Sequence, residues 1–256
     1  MKVLIINGSP HKGNSWTILE LVRKRMQEKS QGEIEFIEVH LADLDIPFCT
    51  GCFNCFTYGE DKCPHHNIIN PIAKLMKQCD ATIFLSATYS LNVTAITKNF
   101  VDHMSYNFHR PRYFVKKALI ITTTAGAGNK KSLKYLKDIF KHWGFNKVHT
   151  LSFKLKSSGG YIPTKEVIEK SEKVADEFLK EIESKKLNSP NIKRIFYYNF
   201  WRAMSLKGTA ATNYDNYYWQ QTGLIDIPFY EEVPLDPIKK SVGNGIYNMT
   251  QKMITK

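Results

Sequence analysis

Apolar residues recur along this chain in two alternating patterns. Val3-Leu4-Ile5-Ile6-Asn7 is a short β-branched run, and Ile18, Leu19, Leu21, Val22 and Met26 follow it at helical spacing. Residues 33–39 alternate with period two, as a strand with one buried face does. A long excursion over residues 40–67 precedes a short helical set, Ile68, Ile72, Leu75 and Met76. Ala81-Thr82-Ile83-Phe84-Leu85 and Ala118-Leu119-Ile120-Ile121-Thr122-Thr123 are near-continuous apolar runs, the mark of strands covered on both faces. Helical patterns follow both runs. The first carries Val101 and Met104; the second carries Leu133, Leu136, Ile139, Phe140 and Trp143 and stops at Gly144. A weaker strand spans residues 147–153. A charged amphipathic helix over residues 164–186 then turns Val167, Ile168, Val174, Phe178, Leu179 and Ile182 to one side.

Five strands alternating with helices predict an α/β fold, a doubly wound five-stranded parallel sheet over residues 1–186. Residues 187–256 differ in character. Asn188-Ser189-Pro190 breaks the pattern, and an aromatic, basic stretch follows with Phe196, Tyr197, Tyr198, Phe200 and Trp201 among Lys193, Arg194 and Arg202. Tyr214, Tyr217, Tyr218 and Trp219 come next, and a last helix begins near Ile238. This reads as a helical, aromatic-rich extension that packs on its own subunit or a partner, without an obvious core of its own.

Composition adds bounds. No apolar run is long enough to span a membrane, and the first is too short for a secretory signal core, so the expectation is a soluble cytoplasmic chain with no integral membrane association. The net charge of +12 is spread along the chain with no dense basic tract. It therefore reads as a solvated basic surface and not as a nucleic-acid groove.

Candidate chemistry lies in the loops. Gly8-Ser9-Pro10-His11-Lys12-Gly13-Asn14-Ser15 joins a buried strand to a helix. Unpaired amides and partial positive charge at the helix start, with glycines that admit a close approach, make an anion site. The loop lacks a Gly-Lys-Ser/Thr triplet and the G-x-G-x-x-G pattern, so it suits one terminal phosphate better than a triphosphate or a dinucleotide. Polar loops over residues 86–92 and 122–128 converge on the same end of such a sheet, at its switch point.

This run resembles the FMN phosphate loop of the NAD(P)H-dependent FMN reductase group of the flavodoxin-like superfamily. The resemblance covers about residues 1–186 and implies strand order 2-1-3-4-5. It implies an FMN phosphate held by Ser9, Lys12, Asn14 and Ser15. The ring would lie against Thr88, Tyr89, Asn92, Thr124, Ala125 and Gly126. The group's Ser-Pro-x-Tyr loop after strand 3 reads Ser86-Ala87-Thr88-Tyr89 here, with the tyrosine kept and the proline lost. The resemblance further implies hydride transfer from NAD(P)H through flavin to a quinone, nitro compound, free flavin or protein acceptor, and a homodimer. No protein acid or base is assigned, since the flavin carries the chemistry. His103 and His109 stand near the expected flavin edge as possible substrate contacts.

Four of the five cysteines, Cys49, Cys52, Cys55 and Cys63, fall within fifteen residues. Clustered cysteines without a secretory signal point to metal or redox chemistry before a disulfide framework. Their spacing resembles the compact motif of iron–sulfur flavoproteins, which implies a [4Fe–4S] cluster and a single-electron carrier. Other readings stay open: zinc with His65 or His66, a redox-active disulfide beside the flavin, thiols that merely pack, or a flavodoxin-like binding module without catalysis. Cys79 reads as a buried small hydrophobe.

Overall fold

The structure is a computed structural model, and it describes residues 1–155, 161–207 and 213–254. Six strands and nine α-helices are described: β1 Lys2–Asn7, α1 Asn14–Lys29, β2 Glu35–His40, α2 Asn54–Thr57, α3 His66–Gln78, β3 Ala81–Tyr89, β4 Asn92–Val93, α4 Ala95–His103, β5 Lys117–Thr124, α5 Asn129–His142, β6 Lys147–Lys154, α6 Lys165–Glu183, α7 Ile192–Met204, α8 Asn213–Gln221 and α9 Pro237–Ile254.

The sheet order is β2-β1-β3-β5-β6, with all four of those pairings parallel. The five strands expected from the apolar runs therefore take the expected order. The correction is a sixth strand. β3 runs on to Tyr89, and β4 folds back on it antiparallel, pairing Thr88 with Val93 and Tyr89 with Asn92. Residues 86–92, expected as a loop, are thus mostly hairpin. Its polar composition hid the strand, because only the first part of β3 is buried on both faces.

Side-chain alternation splits the core into two layers. Val3, Ile5, Ile83, Leu85, Leu119 and Ile121 face α1 and α6, where Ile18, Leu19, Val22, Met26 and Phe178 cover them. Leu4, Ile6, Phe84, Ala118 and Ile120 face the other way, under Ile69, Ile72 and Met76 of α3, Phe100 of α4, and Leu136 and Phe140 of α5. Gly144 ends the α5 turn at φ +108°, as its position suggested.

The extension does build a small core. Ile195, Tyr198, Trp219, Leu224, Phe229 and Val233 gather around Phe114, which the α/β body supplies. Arg194 ties α7 to the carbonyls of Asn146 and Gly144 at 3.0 and 2.9 Å.

Helices on both faces leave the strand ends as the place for polar groups. Gly8 sets the geometry there. Its amide donates to the Leu85 carbonyl at 2.8 Å, and its own carbonyl accepts from the Thr94 and Thr97 hydroxyls. A Cβ on Gly8 would stand 2.1 Å from Thr97 Oγ1 and 2.9 Å from the Leu85 oxygen. Gly8→Ala is therefore expected to lower stability by about 2–3 kcal/mol, read as a shift in the urea-unfolding midpoint at unchanged slope.

Candidate functional site

A cleft of about 570 Å³ opens at the C-terminal ends of β1, β3 and β5. Its walls are the loop from β1 to α1, the β3–β4 hairpin, and the turn from β5 to α5. Each wall is tied to the next. Ser9 Oγ accepts from the Ala87 amide at 2.9 Å, linking the first loop to β3. Ser15 Oγ and Thr123 Oγ1 lie 2.6 Å apart, linking α1 to β5. The Thr124 hydroxyl closes its own turn, accepting from the Gly126 amide and donating to the Ala127 carbonyl. Gly13 precedes α1 and offers no side-chain cap, so the helix start points its amides toward this cleft without a capping oxygen of its own.

The hairpin tip carries backbone strain. Ser90 and Leu91 occupy its two turn positions at φ +47° and +68°, where Asn-Gly is the ordinary choice. Gly128, at φ +95°, lets the third wall close on that tip, since a Cβ there would meet Leu91 Cα at 2.4 Å. Tyr89 and Leu91 stand about half exposed at the cleft mouth. A larger hollow of about 670 Å³ lies at the opposite end of the strands, around Met1, Asp80 and Lys117, and none of the expected site residues lines it.

The cysteine excursion forms a separate region. Asn99 of α4 anchors its start, accepting from the Cys49 amide at 3.0 Å and donating to the carbonyls of Ile46 and Pro47. Its far side is latched by charge. Arg110, fully buried, donates to the Cys55 carbonyl at 2.7 Å, to Glu60 at 3.2 Å and to Asp215 of α8 at 2.6 Å. Arg112 adds a second bond to Glu60 at 2.6 Å. His109 completes the network, with Nδ1 2.7 Å from Asp215 and its ring stacked on Trp201 at 3.6 Å. The extension thus holds the cysteine loop through Asp215 and through Tyr214, whose ring packs against Gly59. Burial would push the Glu60 carboxyl up, but Arg112 and Arg110 outweigh it and hold the group below its ordinary value. Cys49 and Cys52 are exposed, while Cys55 and Cys63 are half-buried. Burial first, then the neighbouring thiols, pushes Cys55 up to about 12 against the pull of Arg110.

Residues 1–158 match the model of the NADPH-dependent FMN reductase family. The chain belongs to that family. An iron–sulfur flavoprotein of Archaeoglobus fulgidus is 36% identical over 146 residues, which are 56% of this chain and 64% of that protein. Another, from Methanocaldococcus jannaschii, is 35% identical over 102 residues, 40% of this chain and 51% of the relative. The chain thus spans between about half and two-thirds of the length of these curated relatives. Among solved structures, a FMN-dependent NADH-azoreductase from Bacillus anthracis superposes with a TM-score of 0.51 at 14% identity, over 71% of this chain and 99% of that one. The apo form of a NADH:FMN oxidoreductase gives 0.50 at 17% identity, over 70% and 88%. Both show the same fold, the flavodoxin-like arrangement.

Eight of the ten residues expected at the cofactor site line the cleft together: Ser9, Asn14, Ser15, Thr88, Tyr89, Thr124, Ala125 and Gly126. Two do not. Lys12 turns away to Glu38 at 3.6 Å and lies over the Trp16 ring. Asn92 belongs to β4, where its side-chain oxygen accepts from the Val93 amide. His103 and His109 also lie outside the cleft lining, in the cysteine region and the charge network. The cleft adds His11, Ser90, Leu91 and Thr123, which the sequence did not single out. Thr123 could have been found as the last residue of β5 on the face that Leu119 and Ile121 turn toward α1. Glu60 and Asp215 carried no local signal, because their partners lie 50 and 105 residues away.

Leu91→Gly relieves the hairpin tip and is expected to raise stability by roughly 0.5–1 kcal/mol, measured by urea unfolding. Glu60 supplies a pH dependence. Its folded-state pKa lies below the ordinary 4.5, so its contribution is complete above that pH and is lost as pH falls through the lowered folded value. Glu60→Gln should cost about 3 kcal/mol at neutral pH, and the gap between variant and parent should close on acidification below pH 4.5.

Proposed function

We propose that this chain binds FMN in the cleft at the ends of β1, β3 and β5 and works as an NAD(P)H-dependent oxidoreductase. One observation carries the reading: the cleft is lined by hydroxyls, amides and a helix N-terminus, with no carboxylate among its described lining residues. That donor set suits a phosphate dianion. Ser9, Asn14 and Ser15 would hold the phosphate, with His11 beside them. Thr88, Tyr89 and the turn of Thr124, Ala125 and Gly126 would hold the ring. FMN bound there would accept hydride from the reduced nicotinamide and deliver electrons to the second substrate. The protein's part is to bind, orient and shield. The Ser9–Ala87 and Ser15–Thr123 bonds would hold the walls at fixed spacing around the cofactor. The half-exposed Tyr89 and Leu91 at the mouth suit a flat apolar acceptor such as a quinone or nitro compound. A cytoplasmic homodimer goes with the same reading.

A second reading has its own support. Cys49, Cys52, Cys55 and Cys63 share one loop, and the relatives that carry the name iron–sulfur flavoprotein match this chain at 36% and 35% identity. Those four thiols would hold a [4Fe–4S] cluster, and the chain would then pass single electrons to a partner. Loading requires the raised Cys55 thiol to give up its proton.

The test is an absorption spectrum of the anaerobically purified chain, with iron and sulfide assays and NADH and NADPH turnover on the same sample. Flavin with turnover and no iron supports the reductase. Flavin with about four irons per chain supports the carrier. A chain that takes up no added FMN overturns both. Asn14→Asp probes the phosphate loop. An acidic residue at the start of α1 favours the helix dipole but repels a phosphate. FMN affinity should fall about tenfold to a hundredfold while the apo chain keeps its stability, read by fluorescence titration and urea unfolding.

A further inference from the structure

The cysteine region holds a constellation that neither the cleft nor a four-cysteine cluster uses in full. Cys63, His65 and His103 bring one sulfur and two ring nitrogens within 4.8 Å of one another. Cys63 Sγ lies 3.8 Å from His103 Nδ1. His103 is only 4% exposed, and its Nε2 lies 2.9 Å from the Pro47 carbonyl. A carbonyl only accepts, so Nε2 carries the hydrogen and Nδ1 keeps its lone pair. That lone pair faces the Cys63 sulfur. An imidazole held by its other nitrogen to a backbone carbonyl is how a ligating histidine is oriented.

The remaining geometry agrees. His65 meets His103 edge-to-face, with ring centroids 5.2 Å apart, and both Cys63 and His65 are half-buried. His66 is engaged elsewhere, its Nδ1 lying 2.8 Å from the Cys63 carbonyl. A tetrahedral ion about 2.3 Å from sulfur and about 2.0 Å from nitrogen sets those two atoms roughly 3.6 Å apart. The observed 3.8 Å is close to that ligand edge, and without an ion it is within reach of a weak thiol–imidazole hydrogen bond.

We propose that Cys63, His65 and His103 form a mononuclear Zn²⁺ site with its fourth position open to solvent. One thiolate and two neutral imidazoles are a borderline-soft donor set, and three protein ligands with an open position are a recurrent zinc arrangement. The site shares Cys63 with any four-cysteine cluster, so the two exclude each other. It does not depend on flavin binding or turnover.

The test uses the chain as described, reduced and freed of iron by chelation, titrated with Co²⁺ and then with Zn²⁺. One equivalent of Co²⁺ should give tetrahedral d–d bands with a sulfur charge-transfer band, and Zn²⁺ should displace it. Cys63→Ser should abolish the charge-transfer band. His65→Ala and His103→Ala should each weaken Co²⁺ binding at least tenfold, while Cys49→Ser leaves it within twofold. His65 is half-buried, so its variant keeps the test sound should the buried His103 variant misfold; circular dichroism reports folding in each. Affinity unchanged in both histidine variants overturns the proposal. So does an equal loss in Cys49→Ser, which would mark a cysteine-only site. Absence of Co²⁺ binding at micromolar concentration would leave a thiol–imidazole contact only and also overturns it.

Discussion

The architecture of the cleft depends on how closely the backbone at Gly8 approaches β3 and α4. There the chain leaves β1 for α1 while its neighbour β3 continues beside it, and the Gly8 peptide is bonded on both sides, to Leu85 and to Thr94 and Thr97. No side chain fits in that gap. The close approach seats the loop from β1 to α1 against β3, and it orients the uncapped start of α1 toward the cleft. A parallel sheet buried on both faces has its polar opportunities at the strand ends, and this contact decides how the loops meet there.

A second constraint acts at a distance. Arg110 is fully buried, and a buried guanidinium demands partners. It finds them in two segments distant from it in sequence: the cysteine loop, through the Cys55 carbonyl and Glu60, and the extension, through Asp215. The cysteine loop has one short α-helix, α2, and exposes Cys49 and Cys52, while Ile46, Cys55 and Phe56 pack against the core. The charge network adds to that packing, and it makes the extension part of the loop's support. The small aromatic core around Phe114 fixes the extension to the α/β body, so the position of Asp215 is set by packing as well as by charge.

The cleft and the cysteine region are built by different means. Hydroxyl-to-amide and hydroxyl-to-hydroxyl bonds of ordinary length join the cleft walls, with strain confined to the Ser90–Leu91 tip. The cysteine region is held by ion pairs, by Asn99, which reaches back to the carbonyls of Ile46 and Pro47, and by His103, which reaches the Pro47 carbonyl. α4 bears on both. Its first turn contacts Gly8 through Thr97, and its last turn presents His103. A shift of that helix would be felt at the two places together.

The strand order came from the family resemblance, while local patterns in the sequence determined the five parallel strands, the helices between them and the three loops that meet at the sheet's end. Each of these follows from periodicity over a few residues, or from the chemistry of a glycine and a helix start. Most of the cleft residues were legible for the same reason, since a residue at a strand end next to a glycine turn has few other places to be. Tertiary structure alone decided the rest. Lys12 left the cleft for Glu38, an ion pair with a residue of β2. Asn92 became a strand residue because β3 outran its apolar run and drew β4 alongside. His109 became a partner of Asp215, and His103 turned to Cys63. Except for the β3–β4 hairpin, these contacts join residues tens to a hundred positions apart. Their energy comes from burial and charge in a particular packing, which no short stretch of sequence encodes.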